Sequence, residues 1–176
     1  MKKLWVSLLY ASIGLGTLVA QDINFLMERA QKGDAPIQNN LGFLYEIGRG
    51  VPQDYAQAVK WYRLAADQGY AKAQFNLGVM YESGEGVPQD YAQAAKWFRL
   101  AADQGLAEAQ CNLGVAYANG EGVPQDYAQA HMWLNLAAAQ GNECGKKGRD
   151  LVAGKMTPQQ IGQAQELARN WKPKKK

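Results

Sequence analysis

The 176-residue chain is poor in the groups that carry most enzyme chemistry: it has one histidine, two cysteines and only 20% charged residues. Each shortage excludes something. The single histidine, His131, has no ligand cluster around it in the sequence, so zinc binding or acid–base work would need Asp, Glu or Cys partners from elsewhere. Cys111 and Cys144 form no Cys-x-x-Cys pair, which removes thiol redox catalysis. There is no serine-nucleophile motif, no paired-carboxylate signature and no phosphate-cradling glycine loop. The repeated Gly-x-Gly segments lead into capped helices without a preceding strand, outside any dinucleotide-binding context. No catalytic, metal or cofactor residue is therefore assigned.

The charge balance excludes a nucleic-acid coat. The formal net charge is +3; without Lys2 and Lys3 it falls to +1, and without Lys172, Lys174, Lys175 and Lys176 the body carries −3. The basicity sits at the two ends, and residues 172–176 read as a solvated basic tail.

What is present begins with an address. Lys2 and Lys3 precede a 16-residue apolar run from Leu4 to Val19, followed by Ala20 and the polar pair Gln21 and Asp22. That order predicts a secretory signal peptide over 1–20, cut after Ala20; Leu18, where a small residue is usual, leaves an uncleaved amino-terminal anchor as the alternative. No Cys follows the run, which removes lipid anchoring, and no second apolar span predicts a membrane helix after cleavage. The expected location is periplasmic or secreted, in a bacterium, under oxidising conditions.

The rest is repetition. Units 34–69, 70–105 and 106–141 each contain 36 residues; the first two agree at 26 positions and the last two at 25. Residues 21–33 resemble the second half of a unit, and 142–171 a divergent terminal repeat with a capping helix. Such a period marks a solenoid, in which each unit buries its apolar face against its neighbours.

Within unit two, Ala71, Gln74, Leu77, Gly78 and Tyr81 recur at steps of three and four and predict a helix of about 12 residues. Gly78, matched by Gly42 and Gly114, lacks a side chain where a partner helix can approach closely. Gly84-Glu85-Gly86 stops this helix. Asp90 then caps a second one, with Gln93 at N3 expected to reach back in a capping box; Asp54 with Gln57 and Asp126 with Gln129 repeat the pair. Ala94, Trp97 and Ala101 give the second helix a buried face, Gly105 ends it in a left-handed position, and Trp61, Trp97 and Trp133 read mainly as core. Thr157-Pro158-Gln159-Gln160 starts a last helix, through Ile161, Ala164, Leu167 and Ala168 to Trp171, expected to close the hydrophobic end of the stack.

These segments, among them Ala73-Gln74-Phe75-Asn76-Leu77-Gly78-Val79-Met80-Tyr81 and Ala95-Lys96-Trp97-Phe98-Arg99-Leu100-Ala101-Ala102-Asp103-Gln104-Gly105, resemble the Sel1-like repeat family, a relative of the tetratricopeptide repeat, over Asp22 to Trp171. The resemblance implies an all-α, right-handed superhelical solenoid of antiparallel helix pairs, used as a protein-binding scaffold. Some secreted cysteine-rich relatives are linked to β-lactam or cell-wall ligands and to host contact, but this chain lacks their cysteine pair in every unit.

In such stacks the first helices commonly line the concave face. Asn40, Asn76 and Asn112, each directly before Leu-Gly, form one ladder there. Their amides either hold an extended peptide backbone or terminal carboxylate, or bond between units and fix their spacing. Positions that vary between units carry specificity: Asn39, Phe75 and Cys111; Phe43, Val79 and Val115; Glu46, Glu82 and Ala118. Phe75 is read as an apolar anchor against the alternative of interhelical packing, and Glu46 and Glu82 favour a basic or polar ligand. His131, replacing Val59 and Ala95, is assigned to packing or helix surface. Cys111 and Cys144 lie 33 residues apart in first-helix regions of consecutive units, offset by one turn. Either they form a disulfide, worth roughly 3 to 4 kcal/mol in chain entropy, or one thiol is buried and the other faces solvent.

The functional expectation is an exported, non-enzymatic scaffold binding a protein or peptide, in host contact or envelope complex assembly, with no nucleic-acid partner. The alternative is a cell-wall or β-lactam ligand-binding protein or hydrolase.

Overall fold

A computed structural model of the chain describes residues 23–174; the leader expected over 1–20, the two residues after it and the last two lysines lie outside the described residues. There are nine helices among the described residues. The first, α1, covers 23–31. It is followed by α2 (Ala35–Ile47), α3 (Tyr55–Asp67), α4 (Ala71–Ser83), α5 (Tyr91–Asp103), α6 (Ala107–Asn119), α7 (Tyr127–Ala139), α8 (Glu143–Ala153) and α9 (Pro158–Asn170). The hairpins α2/α3, α4/α5 and α6/α7 stack in sequence, the second helix of each lying against the first helix of the next. None of these helices is long and apolar enough to cross a membrane.

The hairpin corners explain the Gly-x-Gly-Val-Pro-Gln-Asp-Tyr run. Gly48, Gly84 and Gly120 end the first helices in the left-handed region. The side chains of Gln53, Gln89 and Gln125 then turn back, each Nε2 donating at 2.8 Å to a last-turn carbonyl of Glu46, Glu82 or Ala118. Asp54, Asp90 and Asp126 cap the second helices, their Oδ1 atoms accepting from the backbone N–H of Gln57, Gln93 and Gln129 at 3.0 Å. Each such cap is worth about 1 kcal/mol.

The expected return bond from those glutamines is not made. The N–H it would satisfy is already committed: Asp54, Asp90 and Asp126 donate theirs to the carbonyls of Tyr45, Tyr81 and Tyr117 in the preceding helix. Only at Thr157 and Gln160 of α9 is the reciprocal box complete among the described residues.

Gly42, Gly78 and Gly114 are the contact points within each hairpin. A Cβ at any of them would stand 2.6 Å from the side chain of Tyr62, Phe98 or Leu134, the large buried residue of the facing helix. Trp97 and Trp133 are buried with these groups, and Trp61 is half-buried. Between units, the second Gly of the corner does similar work. Gly122 has φ +69°, and a Cβ there would lie 2.0 Å from the carbonyl oxygen of Tyr91 in the previous unit, so only glycine permits this approach.

The deepest connection between units is a glutamine relay. Gln38, Gln74 and Gln110 are buried on the first helices, and their Nε2 atoms donate backwards to the carbonyls of Ala30, Ala66 and Ala102 at 2.9, 3.2 and 3.3 Å. Their Oε1 atoms accept from Gln68, Gln104 and Gln140 at 2.6, 2.8 and 2.8 Å. Buried amides satisfied on both sides fix the seam in one register, because shifting it would strand them without partners. Gln38 treats α1 as Gln74 treats α3, so α1 occupies the second-helix layer.

The carboxy-terminal end departs from the sequence expectation. Gly145 and Gly148 let α8 lie close on α7, where added Cβ atoms would meet Ala137 and Leu134 within 2.8 Å. Yet α9 does not pair with α8 to close the stack. It packs against α7: Ala164 and Ala168 are buried, and Trp171 meets Trp133 edge-on at 6.0 Å. The chain then runs on to Asp103, whose backbone and side chain both accept from Lys174 at 2.7 Å. The apolar face of α9 finds the exposed side of the second-helix layer, and α8 keeps Leu151 in solvent, 71% exposed.

Candidate functional site

The first helices present one continuous exposed stripe. Along α2 the exposed positions are Pro36, Asn40, Phe43 and Ile47, at steps of four, three and four, which is one face of a helix. The same steps give Lys72, Asn76, Val79 and Ser83 on α4, and Glu108, Asn112, Val115 and Asn119 on α6. Every one of these is exposed or half-buried. In α8 the matching position to Val115 is Leu151. The stripe thus carries an apolar rung per unit, Phe43, Val79, Val115 and Leu151, of which Phe43 is 48% and Leu151 71% exposed.

The asparagine ladder is only partly a chain of contacts. Asn76 Nδ2 donates to Asn39 Oδ1 at 3.0 Å across the seam between units one and two. The next seam cannot repeat this, because the Asn39 position holds Phe75 there, which accepts nothing. Asn40 is exposed and Asn112 half-buried.

Phe75 serves two surfaces. Its ring lies 5.8 Å from that of Phe98, tilted 39°, as part of the core of its hairpin. It also lines a 170 Å³ pocket with Asn39, Lys72, Asn76, Leu106 and Glu108. A larger, shallower hollow of 440 Å³ adjoins it through Lys72 and Leu106.

Glu46 and Glu82 differ in their surroundings. Tyr62 Oη donates to Glu46 Oε2 at 2.5 Å, and burial, reinforced by that carboxylate, holds the phenol far above its ordinary range. Phe98 stands where a second Tyr62 would be. The Glu82 carboxylate has no hydrogen-bond or ion-pair partner among the described residues, and burial together with the charge of Glu121 raises its carboxyl above the usual value.

Cys111 and Cys144 are disulfide-bonded, with a Cα–Cα distance of 6.2 Å. Cys111 is 1% exposed and Cys144 lies at the surface, so the bond ties the buried edge of α6 to the outside of α8. His131 is a packing residue, 2% exposed. Burial, aided by Arg149 and opposed by Asp150, lowers its pKa. Among the described residues no three His, Cys, Asp or Glu side chains come together as a metal site. The arrangement offers apolar rungs, amides and the half-buried carboxylate of Glu82. Three of its features escaped the sequence: the glutamine relay, the Tyr62–Glu46 bond and Leu151. The glutamines do recur every 36 residues, which was the available signal.

Stacked hairpins joined through a buried relay, with a single exposed stripe on the first helices, define a helical-repeat solenoid. The Sel1 repeat matches at residues 36–70, 71–106 and 107–142, and the chain belongs to the Sel1 repeat family. It is similar to a protective antigen present in uropathogenic Escherichia coli strains and displaying an SLR fold, with 39% identity and a TM-score of 0.79 over 86% of this chain. The chain spans 32% of that antigen's length. It is also similar to a Sel1 repeat protein from Oxalobacter formigenes, at 39% identity and a TM-score of 0.68, over 74% of this chain and 98% of that one. No curated protein matches.

Proposed function

We propose that the protein is an exported, non-catalytic scaffold whose first-helix face binds an extended segment of another polypeptide, in envelope assembly or host contact. The observation that carries this reading is the row of apolar rungs, Phe43, Val115 and Leu151 exposed and Val79 half-buried, in one register beside Asn40, Asn76 and Asn112. Side chains of an extended peptide fit the rungs, and its backbone groups find amides that both donate and accept. The relay and the hairpin corners hold this face rigid before a partner arrives, which lowers the ordering cost of binding. The amino-terminal leader pattern and the disulfide support export, as does similarity to a bacterial protective antigen.

The cell-wall or β-lactam reading has less support. It needs Glu82, His131 or a free thiol around one compact pocket, whereas the thiols bond each other, His131 is buried in the core, and Glu82 lines none of the described pockets.

The test is capture from envelope and host-cell extracts by the mature chain and by its Val79→Asp/Val115→Asp variant, with circular dichroism confirming that both are folded. A polypeptide retained by the first and lost from the second supports the groove. Capture of glycan fragments, or of the same proteins by both, sinks it.

A further inference from the structure

The 170 Å³ pocket over α4 draws on all three units: Asn39 from the first, Lys72, Phe75 and Asn76 from the second, Leu106 and Glu108 from the third. Lys72 and Glu108 hold the same repeat position, 36 residues apart, with opposite charge. Both are exposed and both line this pocket, yet neither takes part in an ion pair among the described residues.

The amides at the pocket wall are half committed. Asn76 Nδ2 donates to Asn39 Oδ1 at 3.0 Å, which leaves Asn39 Nδ2 as a donor and Asn76 Oδ1 as an acceptor without partners among the described residues. Asn39 is only 8% exposed and lines the pocket. A donor so placed costs free energy until something in the pocket answers it.

The next step of the stack treats the same place differently. One unit further on, Asn39, Phe75, Leu106 and Glu108 map onto Phe75, Cys111, Asn142 and Cys144. The Cys111–Cys144 disulfide there bridges the two positions that Phe75 and Glu108 hold here, and a phenyl ring replaces the buried amide. Where one step is joined by a covalent bond, the other keeps a cation, an anion and two open amide ends around an aromatic ring.

These groups have one simple complement. A cation and an anion that share a pocket without pairing match a ligand that carries both charges, and a ring beside a leucine matches an apolar side chain. We infer that this pocket binds a free apolar α-amino acid as its zwitterion. The carboxylate lies against Lys72 Nζ and Asn39 Nδ2, the ammonium against the Glu108 carboxylate and Asn76 Oδ1, and the side chain against Phe75 and Leu106. This goes beyond the peptide groove, since the ligand needs two free ends, which no internal residue of a polypeptide has.

The test titrates the isotope-labelled full chain at low salt with four probes: leucine, N-acetyl-leucine, leucine amide and N-acetyl-leucine amide. Shifts of the Asn39 and Asn76 side-chain amides report the site. Leucine is expected to bind about five-fold more tightly than either singly blocked probe, the scale of one exposed ion pair, with the doubly blocked probe weakest of all. Lys72→Gln should reduce leucine to the level of leucine amide, and Glu108→Gln to that of N-acetyl-leucine; both side chains are exposed, so the fold is not at stake. N-acetyl-leucine binding as tightly as leucine would make the pocket a reader of polypeptide carboxyl termini and overturns the inference. So does equal binding of leucine amide, a leucine preference that survives both substitutions, or leucine that moves neither amide. The groove stands apart from all of these outcomes, because its own test turns on Val79 and Val115, which do not line this pocket.

Discussion

Units one and two share 26 of 36 residues and the same corners, yet they treat one glutamate in opposite ways. Unit one answers the carboxylate with the Tyr62 hydroxyl; unit two, with Phe98, leaves it without a hydrogen bond from the facing helix. The backbone does not distinguish them, since Gly42 and Gly78 stand equally close to the facing ring, 2.6 Å from a would-be Cβ. A repeat array therefore separates two tasks. The glycines, caps and glutamines that set the stack are kept in every unit, and a single atom on the facing helix decides whether the glutamate is bonded within its hairpin.

The seams differ in the same way, and breaking them should give the largest effect. Units one and two are joined on this face by the Asn76–Asn39 hydrogen bond, and unit three is joined to α8 by the Cys111–Cys144 disulfide. Cys144→Ala should cost about 3 kcal/mol. Because each repeat contacts only its neighbours, the loss should appear as early unfolding of the α8 end, before the other units. Urea titration followed by hydrogen exchange checks this; a uniform loss across the units would show that the disulfide stiffens the whole stack. Asn76→Ala should cost only about 1 kcal/mol, that of an ordinary hydrogen bond.

Exchanging the two facing residues sharpens the comparison directly. Tyr62→Phe leaves the Glu46 carboxylate without its donor and should cost about 1 to 2 kcal/mol. Phe98→Tyr gives Glu82 the donor its counterpart has and should stabilise by less than about 1 kcal/mol. Thermal melts of the two variants decide it: equal changes would mean that the hydroxyl does no more than fill space.

His131 replaces Val59 and Ala95 at a buried position, so it adds a pH dependence that units one and two lack at this position. Its folded pKa lies below the ordinary 6.5, so the unfolded chain takes up the proton first as pH falls. The stability held above pH 6.5 is then lost as the pH drops towards the folded pKa. His131→Val should flatten melting temperature against pH over that window, and a slope unchanged in the variant would place the titrating group elsewhere.

Much of this fold was legible because it is written three times. The period, the Asp caps, the close approach at Gly78 and the cysteine offset of one turn follow from spacing alone. The return bond of the capping box did not form because a tertiary hydrogen bond from Asp90 to the Tyr81 carbonyl had taken the donor, and local pattern does not reveal that competition. The placement of α9 was hidden for a related reason: Ala164, Ala168 and Trp171 announce a buried face but not its partner, and Trp133 offered more aromatic surface than α8 could. For the site, the stripe was readable from helical spacing, whereas the Asn76–Asn39 pairing depends on how neighbouring helices are offset. Tyr62 reaching Glu46 across the hairpin looks, in sequence, like an aromatic core residue and a surface acid.

The smallest effect tests whether Glu82 is held for something other than stability. Its folded pKa is raised above 4.5 by burial and by Glu121, so the folded state keeps the proton longer than the unfolded chain does. Well below pH 4.5 the carboxyl is protonated in both states and Glu82→Gln should be neutral. As pH rises through 4.5 the unfolded chain ionises first, which favours unfolding, and the penalty is complete once pH has passed the folded pKa. At neutral pH the glutamine variant should therefore be slightly more stable than the natural protein, with solvent screening keeping the gain small at this half-exposed site. Melting curves at pH 3 and pH 7 read the difference. A gain at neutral pH that vanishes in acid marks a residue kept at a cost to the fold, as a recognition group is. A loss at neutral pH would mean that the stack itself uses the Glu82 charge, and that units one and two differ less than their hydroxyl suggests.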